Sequence, residues 1–274
     1  VRFRIVDPLD AARRFKLTSS DLAGASVAIW TTTPWTLPAN QAVSLHPMLD
    51  YVLVEFARPA GVERMVVAEG LVAAVSAHIG ATASRVLATT AGAALEGLRL
   101  EHPFYEREVP VILGGHVTLE TGTGAVHTAP GHGADDYEMG RKYGLPIDNP
   151  VGPDGRFVAG TLLFEGQSVF DANAAIIDTL RNAGRLIHHE PYRHSYPHCW
   201  RHKSPVIFRA TPQWFLSMEK EGLRRDALAG IRKVSWVPDW GEQRMTSMIE
   251  TRPDWCISRQ RAWGVPLAMF VHKE

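Results

Sequence analysis

The stretch "GTGAVHTAPGHGADDYEMG" occupies residues 122–140. Its core, "AVHTA" (125–129), is short and β-branched and predicts a strand. Pro130 and Gly131 stop that strand. The chain then turns through "GHG" and a helix starts near Ala134, running over 133–144. His127 projects from the strand end, and Asp135 and Asp136 fall in the helix's first turn, where carboxylates complement the helix dipole. Strand, tight turn and helix in so few residues predict a mixed architecture.

The rest of the first two-thirds has the same texture. "SVAIWTT" (26–32), "YVLVEFA" (51–57), "RMVVA" (64–68) and "VPVIL" (109–113) read as further short strands bounded by Gly, Pro or Asp. "EGLVAAVSAHIG" from Glu69 and "DANAAIIDTLRNAG" (171–184) read as helices, the second opening on Asp and closing on Gly. Many short strands with few helices predict an α+β fold, a β-barrel-like body with peripheral helices. From His188 the texture changes. "HHEPYRHSYPHCWRHKSP" is rich in His, Pro and Tyr without a clean period and reads as a ribbon or linker. "VIFRATPQWF" (206–215) reads as a strand, and 220–231 and 239–252 as amphipathic helices. The expected organisation is a body over 1–190, with residues 1–20 an entering linker strand, a ribbon over 191–218, and an α/β segment over 219–274.

The chain has 274 residues, 45% hydrophobic and 21% charged, an ordinary globular composition. It contains no apolar run long enough to span a membrane and no signal-peptide layout at "VRFRIVDPLD". The missing initiator Met suggests a fragment. Two cysteines, Cys199 and Cys256, make no disulfide framework and suit a reducing, cytoplasmic setting. The net charge of zero hides an asymmetry: residues 191–274 carry 14 of the 29 Lys and Arg but 8 of the 29 Asp and Glu. Six of the eight tryptophans also lie there, at 200, 214, 236, 240, 255 and 263. Basic residues among aromatics point to nucleic acid, or to a mixed surface over a Trp-rich core.

A second stretch carries candidate chemistry: "WTTTPWTLPAN" (30–40), with three hydroxyls, two indoles and an amide. Taken singly, each feature has a structural explanation. A Thr run fits a strand end, an Asp pair caps a helix, and a strand histidine is usually a satisfied side chain. A metal site of His127, His132, Asp135 and Asp136 lacks the helical i, i+4 spacing. Cys199-x-x-His202 has a zinc-knuckle spacing but supplies two ligands where structural zinc takes four, so a partner pair would have to lie outside this chain. The chain contains no G-x-S-x-G, no Walker loop and no dinucleotide fingerprint.

Together, "WTTTPWTLPAN" and "GTGAVHTAPGHGADD" resemble the editing domain of isoleucyl-tRNA synthetase, a large insertion in a class I catalytic core. "NPVGPDGRF" (149–157), "HSYPHCWRHKSP" (194–205), "FRATPQWF" (208–215) and "RPDWCISRQRAWGVP" (252–266) resemble that enzyme in the same order, in its bacterial form. The valine and leucine enzymes usually carry arginine at the position of Thr33 and lack histidine at that of His127, whereas Asp136 is common to all three. Both ATP-site signatures of a class I synthetase are absent, so ligation of an amino acid to tRNA is not expected of this chain, and residues from about 216 resemble the return into the catalytic core.

The resemblance implies hydrolysis of Val-tRNA(Ile), and of valyl-adenylate, by a positioned water. Asp136 would hold the substrate's ammonium group, and Thr31 and Thr32 would line the amino-acid and ribose end. Trp30 and Thr33 would wall the side-chain pocket, Thr33 and Asn40 would place the water, and His127 would exclude isoleucine. No cofactor is implied for editing; ATP and Mg would belong to the full-length parent. The implied partners are tRNA(Ile) carrying valine and the remainder of the synthetase, with a monomeric state. Two other functions compete: a tRNA-binding module without catalysis, and a metal-dependent hydrolase built on His127, His132 and Asp136.

Overall fold

The computed structural model describes residues 1–259 and 264–271. Residues 260–263, inside the "RPDWCISRQRAWGVP" string, and 272–274 lie outside the described residues. The chain divides into two compact units, Val1–Ala210 and Thr211–Glu274.

In the first unit, nine strands form two sheets. They are β1 (Arg2–Arg4), β2 (Ser26–Ala28), β3 (Ala42–Leu45), β4 (Asp50–Arg58), β5 (Gly61–Ala68), β6 (Ala83–Ala91), β7 (Arg99–Glu101), β8 (Glu108–Leu113) and β9 (Ala125–Thr128). One sheet has the order β1-β2-β5-β4-β6 and the other β7-β8-β3-β9. Neighbours are antiparallel except β2 with β5 and β3 with β8. An isolated bridge, Ile5 with Leu100, joins the sheets along one seam. Across the other, Ala68 N–H donates to Thr123 O at 2.9 Å and Trp30 N–H to Ala125 O at 3.4 Å. The α+β class read from the sequence is present, with the strands in two open sheets rather than a closed barrel.

β4, "DYVLVEFAR", is a central strand and buries residues on both faces. Its neighbour β6, "ASRVLATTA", is an edge and largely exposed. Phe3, Leu22, Tyr51, Leu53, Phe56 and Phe164 are among the fully buried side chains of the core. The Tyr51 hydroxyl donates to Gly124 O at 2.6 Å and accepts from His46 N–H at 2.9 Å, which pins the approach to β9. Gly124 has φ +73°, and a Cβ there would sit 2.3 Å from Ala68 Cβ, so only glycine fits that crossing.

Four helices flank the sheets: α1 (Pro8–Phe15), α2 (Val72–His78), α3 (Ala134–Tyr143) and α4 (Ala172–Asn182). The first twenty residues therefore hold a paired strand and a helix, α1, capped by Asp7, whose carboxylate accepts from Leu9 N–H at 2.8 Å. α4 buries Ala172, Ile176 and Leu180, the i, i+4, i+8 stripe expected of a surface helix. No helix among the described residues is long and apolar enough to cross a membrane.

Two expected strands are corrected. The strand drawn over 26–32 ends at Ala28, because Thr33 N–H bonds to Thr31 Oγ1 at 3.0 Å and the chain enters a 3-10 segment, Pro34–Ala39. That local bond competes with a ladder. The strand drawn over 206–215 is also absent. The backbone of Phe208 and Ala210 bonds to loops of the body instead, and only β10 (Phe215–Leu216) pairs, with β11 (Trp255–Cys256).

The second unit contains those two short strands and helices α5 (Leu223–Ile231) and α6 (Trp240–Glu250). Arg224 donates to the carbonyls of Ile249, Glu250 and Arg252, placing a cation on the C-terminal carbonyls of α6. Met218 and Ile231 are its buried hydrophobic residues among those described.

Candidate functional site

The 3-10 segment Pro34–Ala39 and strand β9 bring the two unusual sequence stretches together. The decisive contact is between Thr36 Oγ1 and His127 Nε2, 3.0 Å apart. Thr36 gives its single hydroxyl hydrogen to Thr33 O at 2.8 Å. Its oxygen therefore accepts from the histidine, which assigns the Nε2–H tautomer. His127 is 6% exposed and its Nδ1 has no partner. Burial, with the nearby His132, lowers its pKa to about 4, so the ring is neutral at neutral pH.

Asp136 stands in the first turn of α3 and reaches back to the end of β9. Its Oδ2 accepts from Ala129 N–H at 2.9 Å. Burial raises its pKa, and the Ala129 bond works against that shift. His132, in the turn between β9 and α3, is 8% exposed. Its Nδ1–H donates to Phe208 O at 3.0 Å, and its ring meets Trp35 edge-on at 5.0 Å. Its Nε2 is buried without a partner, and burial lowers its pKa. Asn40 is wholly buried. Its Nδ2 donates to Ala42 O at 2.7 Å, and its Oδ1 has no partner.

His102 provides the internal contrast. Its Nε2–H donates to Leu37 O at 3.0 Å, and its Nδ1 accepts from Tyr105 N–H at 3.0 Å and Phe104 N–H at 3.3 Å. Both nitrogens are satisfied, the pattern of a structural core histidine. His127 and His132 each leave one buried acceptor open, and a buried unpaired polar atom calls for a specific explanation.

Trp30, Thr31 and Thr32 lie elsewhere on the same stretch. They line a cavity of about 490 Å³ whose floor includes Ile29, Leu71, Val75, Ile177 and Leu180. Trp30 is 36% exposed and meets Tyr192 edge-on at 5.2 Å. Thr33, Asn40, His127 and Asp136 are not part of that lining. The expected residues thus divide between a mostly apolar chamber, lined by Trp30, Thr31 and Thr32, and a set outside that lining, in which His127 and Asn40 are buried and Thr33 and Asp136 half-buried. Thr32 and Thr33 hydroxyls stand 3.5 Å apart across the junction between the two.

Sequence reasoning missed Thr36 and Tyr192. Thr36 had a readable signal: it stands three residues after Thr33 in a turn opened by Pro34, where a hydroxyl bonds back to the backbone. Tyr192 had none. Among the described residues no three His, Cys, Asp or Glu side chains are grouped to hold a metal, so His127, His132 and Asp136 do not form a ligand set. Cys199 and His202 lie in an exposed turn, with Sγ 3.5 Å from Nδ1.

Residues 17–274 match the family described as tRNA synthetases class I (I, L, M and V). The chain belongs to the class I tRNA synthetases. Two curated synthetases similar to it are the isoleucine–tRNA ligases of Nitrosococcus oceani, 59% identical over 272 residues, and Thioalkalivibrio sulfidiphilus, 59% identical over 274 residues. The matches cover 99% and 100% of this chain but 29% of each relative, so the chain spans under a third of their length. Among solved synthetase structures, the P. knowlesi cytosolic leucyl-tRNA synthetase editing domain aligns with a TM-score of 0.54 at 11% identity. That alignment covers 67% of this chain and 93% of the other, and it establishes a shared fold.

Proposed function

We propose that this chain is the editing module of an isoleucine–tRNA ligase and hydrolyses Val-tRNA(Ile), and valyl-adenylate, with a positioned water and no metal. The observation that carries the reading is the Thr36–His127 contact. It joins the threonine-rich turn to the strand leading to Asp136, with unpartnered acceptors left on His127 and Asn40. The isoleucine–tRNA ligases to which the chain is similar, and the editing-domain fold, supply the context.

The need for such a site follows from pocket energetics. One methylene gives a hydrophobic pocket only about 1–3 kcal/mol of discrimination, a general figure that isoleucine and valine themselves exemplify. A second, hydrolytic site multiplies that selectivity. The bond is an activated ester, so positioning and electrostatics suffice without a covalent nucleophile.

The roles are those the family resemblance implies, set beside the contacts present. Asp136, with one carboxylate oxygen held by Ala129 N–H, offers the other to the substrate's ammonium group. Trp30 lines the chamber that would take the side chain, Thr33 stands at its junction beside Thr32, and Thr31 and Thr32 face the amino-acid and ribose end. Thr33 and Asn40 place the water, and Oδ1 is the Asn40 atom left for it. His127, rigidly held by Thr36, excludes the extra methyl group of isoleucine, since overpacking a filled pocket costs about 1–3 kcal/mol. The partners are tRNA(Ile) carrying valine and the rest of a synthetase chain; ATP and Mg serve the ligation chemistry of that larger enzyme, and the working unit is a monomer.

The test is hydrolysis of Val-tRNA(Ile) and Ile-tRNA(Ile) side by side, with and without EDTA. Selective loss of the valyl ester, insensitive to chelation, is the expected result. Binding of both tRNAs with hydrolysis of neither would establish the rival reading of a tRNA-binding module, and EDTA-sensitive hydrolysis would establish a metal-dependent enzyme.

A further inference from the structure

The turn between β9 and α3 carries His127 at one end and Asp136 at the other, so its shape sets their separation. Little within the turn fixes it. His132 N–H donates to Ala129 O at 2.8 Å, and Asp136 holds Ala129 N–H. Pro130 packs against Gly140 of α3, and the hydrogen bonds that reach the turn from outside come from residues 208–210, about eighty positions further along the chain.

Those restraints are dense. Phe208 O accepts from His132 Nδ1–H at 3.0 Å, and Ala210 N–H donates to Gly131 O at 2.7 Å. Ala210 O accepts from Asn149 Nδ2 at 2.6 Å, and Arg209 Nε donates to Val151 O at 2.6 Å. Gly131 also packs hard on the loop that carries Asn149: a Cβ there would lie 2.2 Å from Asp148 O. The His132 ring extends the connection to Trp35, inside the threonine-rich stretch. One buried imidazole therefore touches three segments: the 3-10 segment, its own turn and residues 208–210.

We propose that residues 208–210 are a structural part of the hydrolytic site and that His132 is its positioning residue. By fastening the turn to Phe208 O and to Trp35, His132 sets the placement of Asp136 relative to His127 and Thr36 without touching substrate. The proposal rests on the reading of Asp136 and His127 as site residues.

The experiment compares wild type with His132→Ala, His132→Asn and Asn149→Ala in this chain, by amide hydrogen exchange and by steady-state hydrolysis of Val-tRNA(Ile). Asparagine places an N–H donor near the position of Nδ1. In His132→Ala, protection of the Ala129 and Ala210 amides falls together by about tenfold or more, while amides of the β4–β5 pair keep theirs. The same variant loses about tenfold in kcat with KM within about twofold, and His132→Asn recovers most of it. Unchanged Ala129 and Ala210 protection overturns the proposal, as does lost protection with unchanged kcat. If His132→Ala also loses protection across β4 and β5, Asn149→Ala decides: it removes the bond to Ala210 O and a longer one, 3.4 Å, from Val151 N–H, and leaves His132 in place, so intact Ala129 protection and kcat overturn the proposal. Wild-type chain without hydrolysis counts against the editing reading, and the exchange results then still decide whether 208–210 fasten the turn.

Discussion

His127 Nε2 donates to Thr36 Oγ1 across 3.0 Å, and Thr36 passes its own hydrogen to Thr33 O. Thr36→Val keeps the shape and removes both side-chain bonds, leaving the buried His127 N–H unsatisfied while Thr33 O keeps the Thr36 backbone N–H at 3.1 Å. The expected cost is about 1–3 kcal/mol of stability, read as a lower denaturation midpoint at unchanged m-value. Released from Thr36, His127 can turn, so the ratio of valyl to isoleucyl ester hydrolysis falls. An unchanged midpoint and ratio would remove Thr36 from the site.

Asp136 needs its charge if it holds an ammonium group. Its pKa is raised by burial, so its ionisation is displaced to higher pH and hydrolysis rises with pH across that displaced titration. The stability sign is opposite. A carboxyl whose pKa is raised on folding favours the native state below its unfolded value and loses that contribution as pH rises through the folded one. Asp136→Asn, nearly isosteric, is expected to lower hydrolysis at least about tenfold and abolish the acid limb. Wild-type rates in that variant would exclude the assigned role.

Acid sensitivity should trace to buried neutral histidines. Burial lowers His127 to about 4 and His102 to about 3, and His132 moves the same way. The unfolded chain takes up these protons first, near 6.5, so the stabilisation is complete above that pH and is lost as pH falls towards the folded values. For His127 alone the loss is roughly 3 kcal/mol between pH 6.5 and 4. Unfolding free energies measured across that range should fall steadily, and His127→Gln, which keeps an N–H for Thr36, should flatten the slope. An equally steep slope in the variant would mean that His127 titrates normally.

Cys199 is a free, partly exposed thiol whose surroundings favour the thiolate. Bonds from the backbone amides of His202 and Arg201, and from the His202 ring, bring its pKa down to about 7. Alkylation by iodoacetamide should reach half its limiting rate near pH 7, and His202→Ala should move that midpoint upward. A wild-type midpoint at the ordinary thiol value of 9.0 would contradict the assignment.

Parts of the fold were legible for local reasons. β9, its Pro-Gly stop and α3 followed from β-branching, turn residues and helix capping. β6 was illegible because this edge strand, "ASRVLATTA", mixes apolar and polar residues without alternation and is largely exposed. β7 was too short to register, at three residues. α1 had a readable start, Asp7 followed by Pro8, that pattern reading passed over. The strand over 206–215 was drawn from composition, yet its backbone partners lie in distant loops. In the candidate site, the family resemblance singled out Thr33, His127 and Asp136, whose residue types taken singly fit structural roles. Residue identity could not reveal Phe208 and Ala210, which act through backbone atoms and leave no trace in their side chains.

The hydrogen bond from Ala210 N–H to Gly131 O has a consequence for the order of assembly on the ribosome. A chain is made from its N-terminus, and the long β4–β5 and β4–β6 pairings are complete by residue 91. Strand β9 reaches its partner β3 by residue 128. The turn after β9 then waits for another eighty or so residues to be synthesised before its last partner exists. A nascent chain can therefore hold a folded body while its site is still unfinished, and a premature stop just short of Ala210 would release a protein with sound sheets and a slack turn between His127 and Asp136.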